Sequence, residues 1–328
     1  MVNFRRAAPA TVLLSVILIA SAACAGDRTP GVSAEAEKYP SKDVRLIVHA
    51  AAGGASDMTA RALATELEKD LGRSIVVENR PGASGSTAMR FLASAKADGY
   101  TLGYLPVEVS MLGHRGYPVK PESYTMLGQV VNVPAVVVVP AESPHKTLAD
   151  LIEAAKSDPG EVSVANSGPG SIWEAATTLL GQQAGVGFKP VPFDGGAPAV
   201  AAAAGDKVDA AVAGASEVAP SVKDGRVRAL AVLDAERSQQ LPDVPTGKEE
   251  GYDVTVGGWG GIGAPANLPQ PVAQRLRDAV SKAAQSPAFT QTLTKAGAVP
   301  TYRSAEEFAT FTSQEYERFA AVLRPAGS

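Results

Sequence analysis

Between residues 44 and 104, apolar and polar positions spell one unit twice. The apolar run Val44-Arg45-Leu46-Ile47-Val48 leads through Ala51-Ala52-Gly53-Gly54-Ala55-Ser56-Asp57 into an amphipathic stretch from Met58 to Leu71. Ser74-Ile75-Val76-Val77-Glu78 then passes through Asn79-Arg80-Pro81-Gly82-Ala83-Ser84-Gly85-Ser86-Thr87 into Ala88 to Ala95, and a third apolar run follows at Tyr100 to Tyr104. Short apolar runs alternating with helical periodicity predict parallel strands joined by crossover helices. Both glycine loops then open helices at the same edge of one sheet. A helix start leaves its first N–H groups without intrahelical partners and carries partial positive charge, so each loop is a candidate anion seat. The plainer reading of either loop is an ordinary turn, with glycine for the bend and Ser56 or Asp57 as a helix cap.

The alternation runs on to about residue 265, which places the chain in the α/β class. Val133 to Val139 is a β-branched strand, and Pro140 to Pro144 reads as a passage between lobes. Thr147 with Asp150 three positions on predicts a capped helix over 147–156. A strand at 162–165 and a helix at 171–184 flank a third glycine loop, Asn166-Ser167-Gly168-Pro169-Gly170. A fourth, Asp194-Gly195-Gly196-Ala197-Pro198, precedes an alanine-rich helix at 199–204, and strands follow at 210–213 and 228–232. The chain is expected back in the first lobe near Val254 to Gly263, and helices at 271–286 and 304–324 close it, the second with Ser304 and Glu307 at capping-box spacing.

Composition narrows the functional classes. A chain of 328 residues accommodates two α/β lobes, and 45% hydrophobic with 20% charged residues is an ordinary globular balance. A net charge of −4, 5% aromatics and no basic stripe argue against a nucleic-acid partner. One cysteine and three histidines, at positions 49, 114 and 145, make no metal set, and no cofactor is expected. No G-x-S-x-G elbow, phosphate loop or dinucleotide fingerprint is present, so an enzyme is not the expectation.

The first 24 residues read as a signal peptide of lipoprotein type. Arg5 and Arg6 form a basic region, Thr11 to Ala20 an apolar core too short to span a bilayer, and Ser21-Ala22-Ala23-Cys24 a small-residue processing site. Cys24 is the expected lipidation site, making a lipid anchor the sole membrane contact. The alternative is an incidental cysteine beside an ordinary cleavage site. Residues 25–39, small and charged, are then a flexible tether.

Motifs along the rest of the chain resemble the Bug-type extracytoplasmic solute receptors of tripartite tricarboxylate transporters, almost without gaps from residue 40 to 328. Leu46-Ile47-Val48 with Gly53-Gly54 and Asp57 resembles the first ligand loop of that family, and Glu78-Asn79-Arg80-Pro81-Gly82-Ala83 with Gly85 its second. Ala97-Asp98-Gly99-Tyr100-Thr101-Leu102, Lys146-Thr147-Leu148-Ala149-Asp150-Leu151, Pro159-Gly160, Gly168-Pro169-Gly170-Ser171 and Val191-Pro192-Phe193-Asp194-Gly195-Gly196-Ala197-Pro198 continue the match. So do Arg237-Ser238, Leu241-Pro242-Asp243-Val244-Pro245-Thr246 and Trp259-Gly260 leading to Ala264-Pro265.

The resemblance implies a two-lobed type II periplasmic-binding-protein fold with a ligand cleft between lobes. Residues 40–141 and 255–328 would form lobe 1, and 142–254 lobe 2. It implies a monomer outside the cytoplasmic membrane that captures a small organic acid and passes it to integral-membrane transporter subunits. Carried over position by position, the carboxylate-binding residues are Gly53, Gly54, Asp57, Ser86 and Thr87, with Ser167, Gly168 and Ser171 facing them.

Three departures bear on the ligand. His49-Ala50-Ala51-Ala52 replaces the usual Pro-Phe-Ala-Pro. Trp173 stands where a histidine is common and offers stacking, or plain packing. Asp194 takes an often basic position and disfavours a second distant carboxylate, favouring a monocarboxylate or zwitterion over citrate. Readings kept beside this one are a secreted hydrolase with an unfamiliar site, an inorganic-oxyanion binder and a sensor.

Overall fold

The computed structural model describes residues 39–323. The signal segment 1–24 with Cys24, and the tether as far as residue 38, lie outside the described residues.

The duplicated unit folds as its pattern predicts. β1 (Val44–Val48), α1 (Ala55–Leu71), β2 (Ile75–Asn79), α2 (Ser86–Ala93) and β3 (Thr101–Pro106) follow in order, and β1 pairs parallel with both β2 and β3. Both glycine loops therefore open at one sheet edge. α1 buries Leu63, Leu67 and Leu71 against this section and stops at Gly72, whose φ of 66° is the left-handed conformation that glycine adopts without strain. Each such fully buried side chain is worth about 1.5–3 kcal/mol relative to exposure.

β4 (Tyr124–Pro140) is the element that joins the molecule. Its first part runs antiparallel to β9 (Gly257–Pro265) as far as Pro134, and β9 pairs in turn with β3. From Ala135 onward it pairs instead with β7 (Ala210–Gly214) and β8 (Val227–Leu233). The passage expected at 140–144 thus takes place earlier, inside a single strand. The β-branched residues that made 133–139 look like one strand also carry the chain across without a turn. β5 (Ser163–Asn166) extends the second section, parallel to β7 and to β6 (Lys189–Pro192).

Helices α3 (Leu148–Ser157), α4 (Ile172–Ala184), α5 (Gly196–Ala204) and α6 (Ala215–Lys223) serve the second section. α3 has its capping box: the Thr147 hydroxyl accepts the Asp150 N–H at 3.1 Å and the Asp150 carboxylate accepts the Thr147 N–H at 3.0 Å. α5 begins three residues ahead of expectation, and α6 carries no strong sequence signal. The chain closes on the first section with α7 (Gln270–Ala284), α8 (Pro287–Lys295), β10 (Val299–Arg303) and α9 (Ala305–Val322), the last with Ser304 and Glu307 in the predicted capping box. One apolar cluster, including Leu105, Val137, Leu151, Trp173, Trp259 and Phe308, is continuous from one section to the other. Among the described residues no helix is long and apolar enough to cross a membrane.

Candidate functional site

Where the two sections face each other, a cavity of about 190 Å³ opens. The first section supplies His49 from the end of β1, Ala55 and Ser56 from the start of α1, Tyr104 from β3, and Val107 and Glu108 from the turn after it. Val131 and Val133 come from β4, and Gly258 and Trp259 from β9. Ile172 and Trp173 at the start of α4, with Ser216 and Glu217 at the start of α6, face them from the second section. The walls are largely apolar, and the ionisable side chains among them are His49, Tyr104 and the two glutamates, with no lysine or arginine.

The first glycine loop is held from within. Gly53, at φ 83°, donates its N–H to Asp57 Oδ2 at 2.8 Å. Arg61 Nε donates to the same oxygen at 3.0 Å and Asn79 Nδ2 to Oδ1 at 2.8 Å. Burial alone would raise the Asp57 carboxyl, but the hydrogen bonds from Arg61, Gly53 and Asn79 outweigh it and hold the group below the ordinary carboxylate range. Asp57 is therefore anionic and already committed to the loop. Met58 is the first residue of α1 to donate into the helix ladder, to Gly54 O at 2.9 Å. The amides of Ala55, Ser56 and Asp57 precede it, and the first two of these residues line the cavity.

Above that helix start sit an imidazole and a phenol. The His49 ring stacks on Tyr104 at 5.7 Å between centroids, and Ser56 lines the cavity beside them. Gly260 makes room for the phenol hydroxyl, since a Cβ there would lie 1.9 Å from Tyr104 Oη. His49 Nδ1 is buried without a hydrogen-bond partner among the described residues, and burial pushes the imidazole down to about 4. Half-buried Glu108 moves the other way, its carboxyl pushed up by burial to about 7.

In the second section, the Trp173 ring lies where a Cβ on Gly214 or Gly258 would come within 3.0 Å or 3.4 Å of it. Glu217 Oε2 accepts the Gly214 N–H at 3.0 Å. Burial raises the Glu217 carboxyl, opposed by hydrogen bonds from the Gly214, Ala197 and Gly196 amides and from the Trp173 indole. The third glycine loop is likewise satisfied internally. Gly168 N–H donates to Asn166 Oδ1 at 2.9 Å, and Gly170 N–H to Glu174 Oε2 at 2.6 Å. Ser171 caps α4 by accepting the Glu174 N–H at 3.2 Å.

Of the ten residues expected from sequence, Trp173 lines the cavity. Gly53 and Gly54 form the loop immediately before Ala55 and Ser56, and Asp57, next along α1, closes it through the Gly53 N–H. Ser86 is buried and Thr87 exposed at the start of α2, outside the lining. Their loop backs onto the site, because a Cβ on Gly85 would lie 3.2 Å from His49. Ser167, Gly168 and Ser171 shape the turn ahead of Trp173, and Asp194 is exposed, all outside the lining. Tyr104, Glu108, Glu217 and Trp259 were not expected. Among the described residues no group of three or more histidine, cysteine or carboxylate side chains is placed to hold a metal.

Comparison with known proteins agrees with this architecture. The tripartite tricarboxylate transporter family receptor description matches residues 59–327. Protein BugT of Bordetella pertussis is 33% identical over 92% of this chain and 94% of its own. Among solved structures, a Rhodopseudomonas palustris MatC with bound malate is 29% identical, with a TM-score of 0.75 over 87% of this chain and 100% of that one. An R. palustris protein with adipate is 30% identical, with a TM-score of 0.77 over 88% of this chain and 98% of that one. With family-wide sequence match, two-lobed architecture and an interlobe cavity in agreement, the chain belongs to the tripartite tricarboxylate transporter receptor family.

Proposed function

We propose that this protein is an extracytoplasmic receptor that captures a small organic carboxylate in the interlobe cavity and delivers it, untransformed, to the integral-membrane subunits of a tripartite transporter. The observation that carries the reading is the start of α1 opening, through Ala55 and Ser56, into an apolar-walled cavity whose lining has no lysine or arginine. A carboxylate there accepts backbone N–H groups at the positive end of a 17-residue helix and the Ser56 hydroxyl. Similarity to proteins holding malate and adipate supports the same chemistry.

Gly53, Gly54 and Asp57 keep the loop in shape. Ser86 and Thr87 on one side, and Ser167, Gly168 and Ser171 on the other, form the rim that approaches the ligand as the lobes close. The hinge is assigned to the two places where the chain crosses between sections, within β4 at Pro134–Ala135 and at the entry to β9 at Val256–Gly257, where Ala135 N–H donates to Val256 O at 3.1 Å. Lipidated Cys24 anchors the mature monomer at the outer face of the membrane.

A thermal-shift screen of the mature chain against organic acids, amino acids and aromatic carboxylates tests the reading. A ligand at 100 times its Kd stabilises the folded state by about 2.7 kcal/mol, well within detection. Ser56→Ala is expected to shrink the shift. Silence across the library, together with turnover of an ester or amide, overturns the proposal. Mass spectrometry of membrane-extracted protein that finds an unmodified Cys24 overturns the anchor.

A further inference from the structure

Two helix starts and a tryptophan gather around one side chain of the chain itself. Gly214 N–H, at the start of α6, donates to Glu217 Oε2 at 3.0 Å, while Gly196, at the start of α5, lies against the same carboxylate and the Trp173 ring and Glu217 Oε2 both crowd Gly214. The approach to α5 is so close that a Cβ on Gly196 would lie 2.1 Å from Oε2 and 2.5 Å from Cδ. A glutamate three residues into a helix that reaches back to its own cap explains the Gly214 bond. It does not explain why a second helix start and a tryptophan also turn to the same group, nor why that group lines the cavity. The arrangement is that of an anion site whose anion is built in.

Resting on the carboxylate-receptor reading above, we propose that Glu217 is a specificity-determining residue: it permanently fills the second lobe's anion seat, so the receptor takes monocarboxylates with an apolar body and rejects dicarboxylates. The ligand's single carboxylate goes to the start of α1. Its other end meets Trp173, Trp259 and the β4 valines, and a second carboxylate placed there faces Glu217 in place of free amides. Like charges at close range in a partly desolvated site repel.

Calorimetric titration of the mature chain with straight-chain mono- and dicarboxylates of equal length, hexanoate against adipate and their shorter and longer homologues, tests this. In the wild-type chain the monocarboxylate of each bound pair is expected to bind at least tenfold more tightly. Glu217→Gln and Glu217→Ala are expected to shift the mono- to dicarboxylate affinity ratio at least tenfold toward the dicarboxylate, with melting curves run on both to establish folding. A wild-type chain that binds both members of a pair equally overturns the proposal while leaving the receptor reading intact. So does a folded variant with an unchanged ratio and only a lowered melting temperature, the signature of a helix cap. Silence of every acid in wild-type and variants overturns the receptor reading and this proposal with it.

Discussion

Replacing Glu108 by glutamine is expected to expose a pH dependence of stability that the wild-type chain conceals. Burial pushes Glu108 from 4.5 to about 7, so between those values the folded chain keeps a proton that the unfolded chain releases. Its contribution to stability is complete below pH 4.5 and is lost as pH rises toward 7. Burial pushes His49 from 6.5 to about 4, so the folded chain refuses a proton that the unfolded chain takes up. That contribution is complete above pH 6.5 and is lost as pH falls toward 4. From pH 4.5 to 6.5 the two slopes oppose each other at up to about 1.36 kcal/mol per pH unit, or about 2 kcal/mol apiece across the window. In each case the shift comes from burial and not from the other group, so the two act independently. Urea unfolding at pH 4.5, 5.5 and 6.5 reads the effect, with differences taken against the wild-type chain so that shared titrations cancel. Glu108→Gln is expected to gain about 2 kcal/mol across the window relative to wild type, and His49→Gln to lose as much. Three parallel curves would refute the burial of both groups in the cavity.

Other substitutions test neighbouring parts of the site. Trp173→Ala leaves a void between sections and is expected to cost about 3 kcal/mol in urea unfolding and to abolish the carboxylate-induced thermal shift. Asp57→Asn removes an anion that holds Gly53, Arg61 and Asn79 and is expected to cost about 2 kcal/mol at pH 7, since Arg61 is half exposed. Because the Asp57 carboxyl is held down, its contribution is present above pH 3.8 and fades in stronger acid, so the wild-type and variant curves converge there. Gly260→Ala drives a Cβ into Tyr104 and is expected to cost about 2 kcal/mol by overpacking and to weaken carboxylate binding. Adding Tyr104→Phe does not restore stability, because the ring carbon Cζ would still lie 2.2 Å from that Cβ.

How much was legible in the sequence follows from how local each feature is. The duplicated strand, loop and helix, the capping boxes at Thr147 and Ser304, and the left-handed glycines of the loops depend on neighbours within a few residues, and the structure reproduces them. The crossing between lobes was misplaced because proline reads as a break. Pro134 instead sits in register opposite Gly257, within a strand that two sheet sections share. α6 went unseen because Pro220 lies inside it and Gly214 opens it, so Glu217 was never weighed as a site residue. Tyr104 and Glu108 read as strand and turn. What makes them functional is burial beside a helix start some 50 residues away in sequence, which no short motif records. Ser56 was legible as a cap, but Gly54 takes the cap position with no side-chain hydrogen bond, and Ser56 lines the cavity instead.

The two lobes use the same device with opposite outcomes, and that asymmetry decides where charge on a ligand belongs. In the first lobe, Asp57 reaches backward to Gly53, which satisfies the loop and leaves the amides of Ala55 and Ser56 facing the cavity. In the second, Glu174 takes Gly170, Asn166 takes Gly168, and Glu217 takes Gly214. Besides the shared strand and the apolar cluster that runs between the lobes, an ion pair also bridges them. Arg115 and Glu174 pair across the gap at 2.8 Å, but both are about one quarter to one third exposed, and such pairs contribute about 0–1 kcal/mol. An exposed pair of that size does not lock a hinge. On the receptor reading proposed above, closure would draw on the ligand itself, with its carboxylate at the start of α1 and its apolar body between Trp173, Trp259 and the valines of β4.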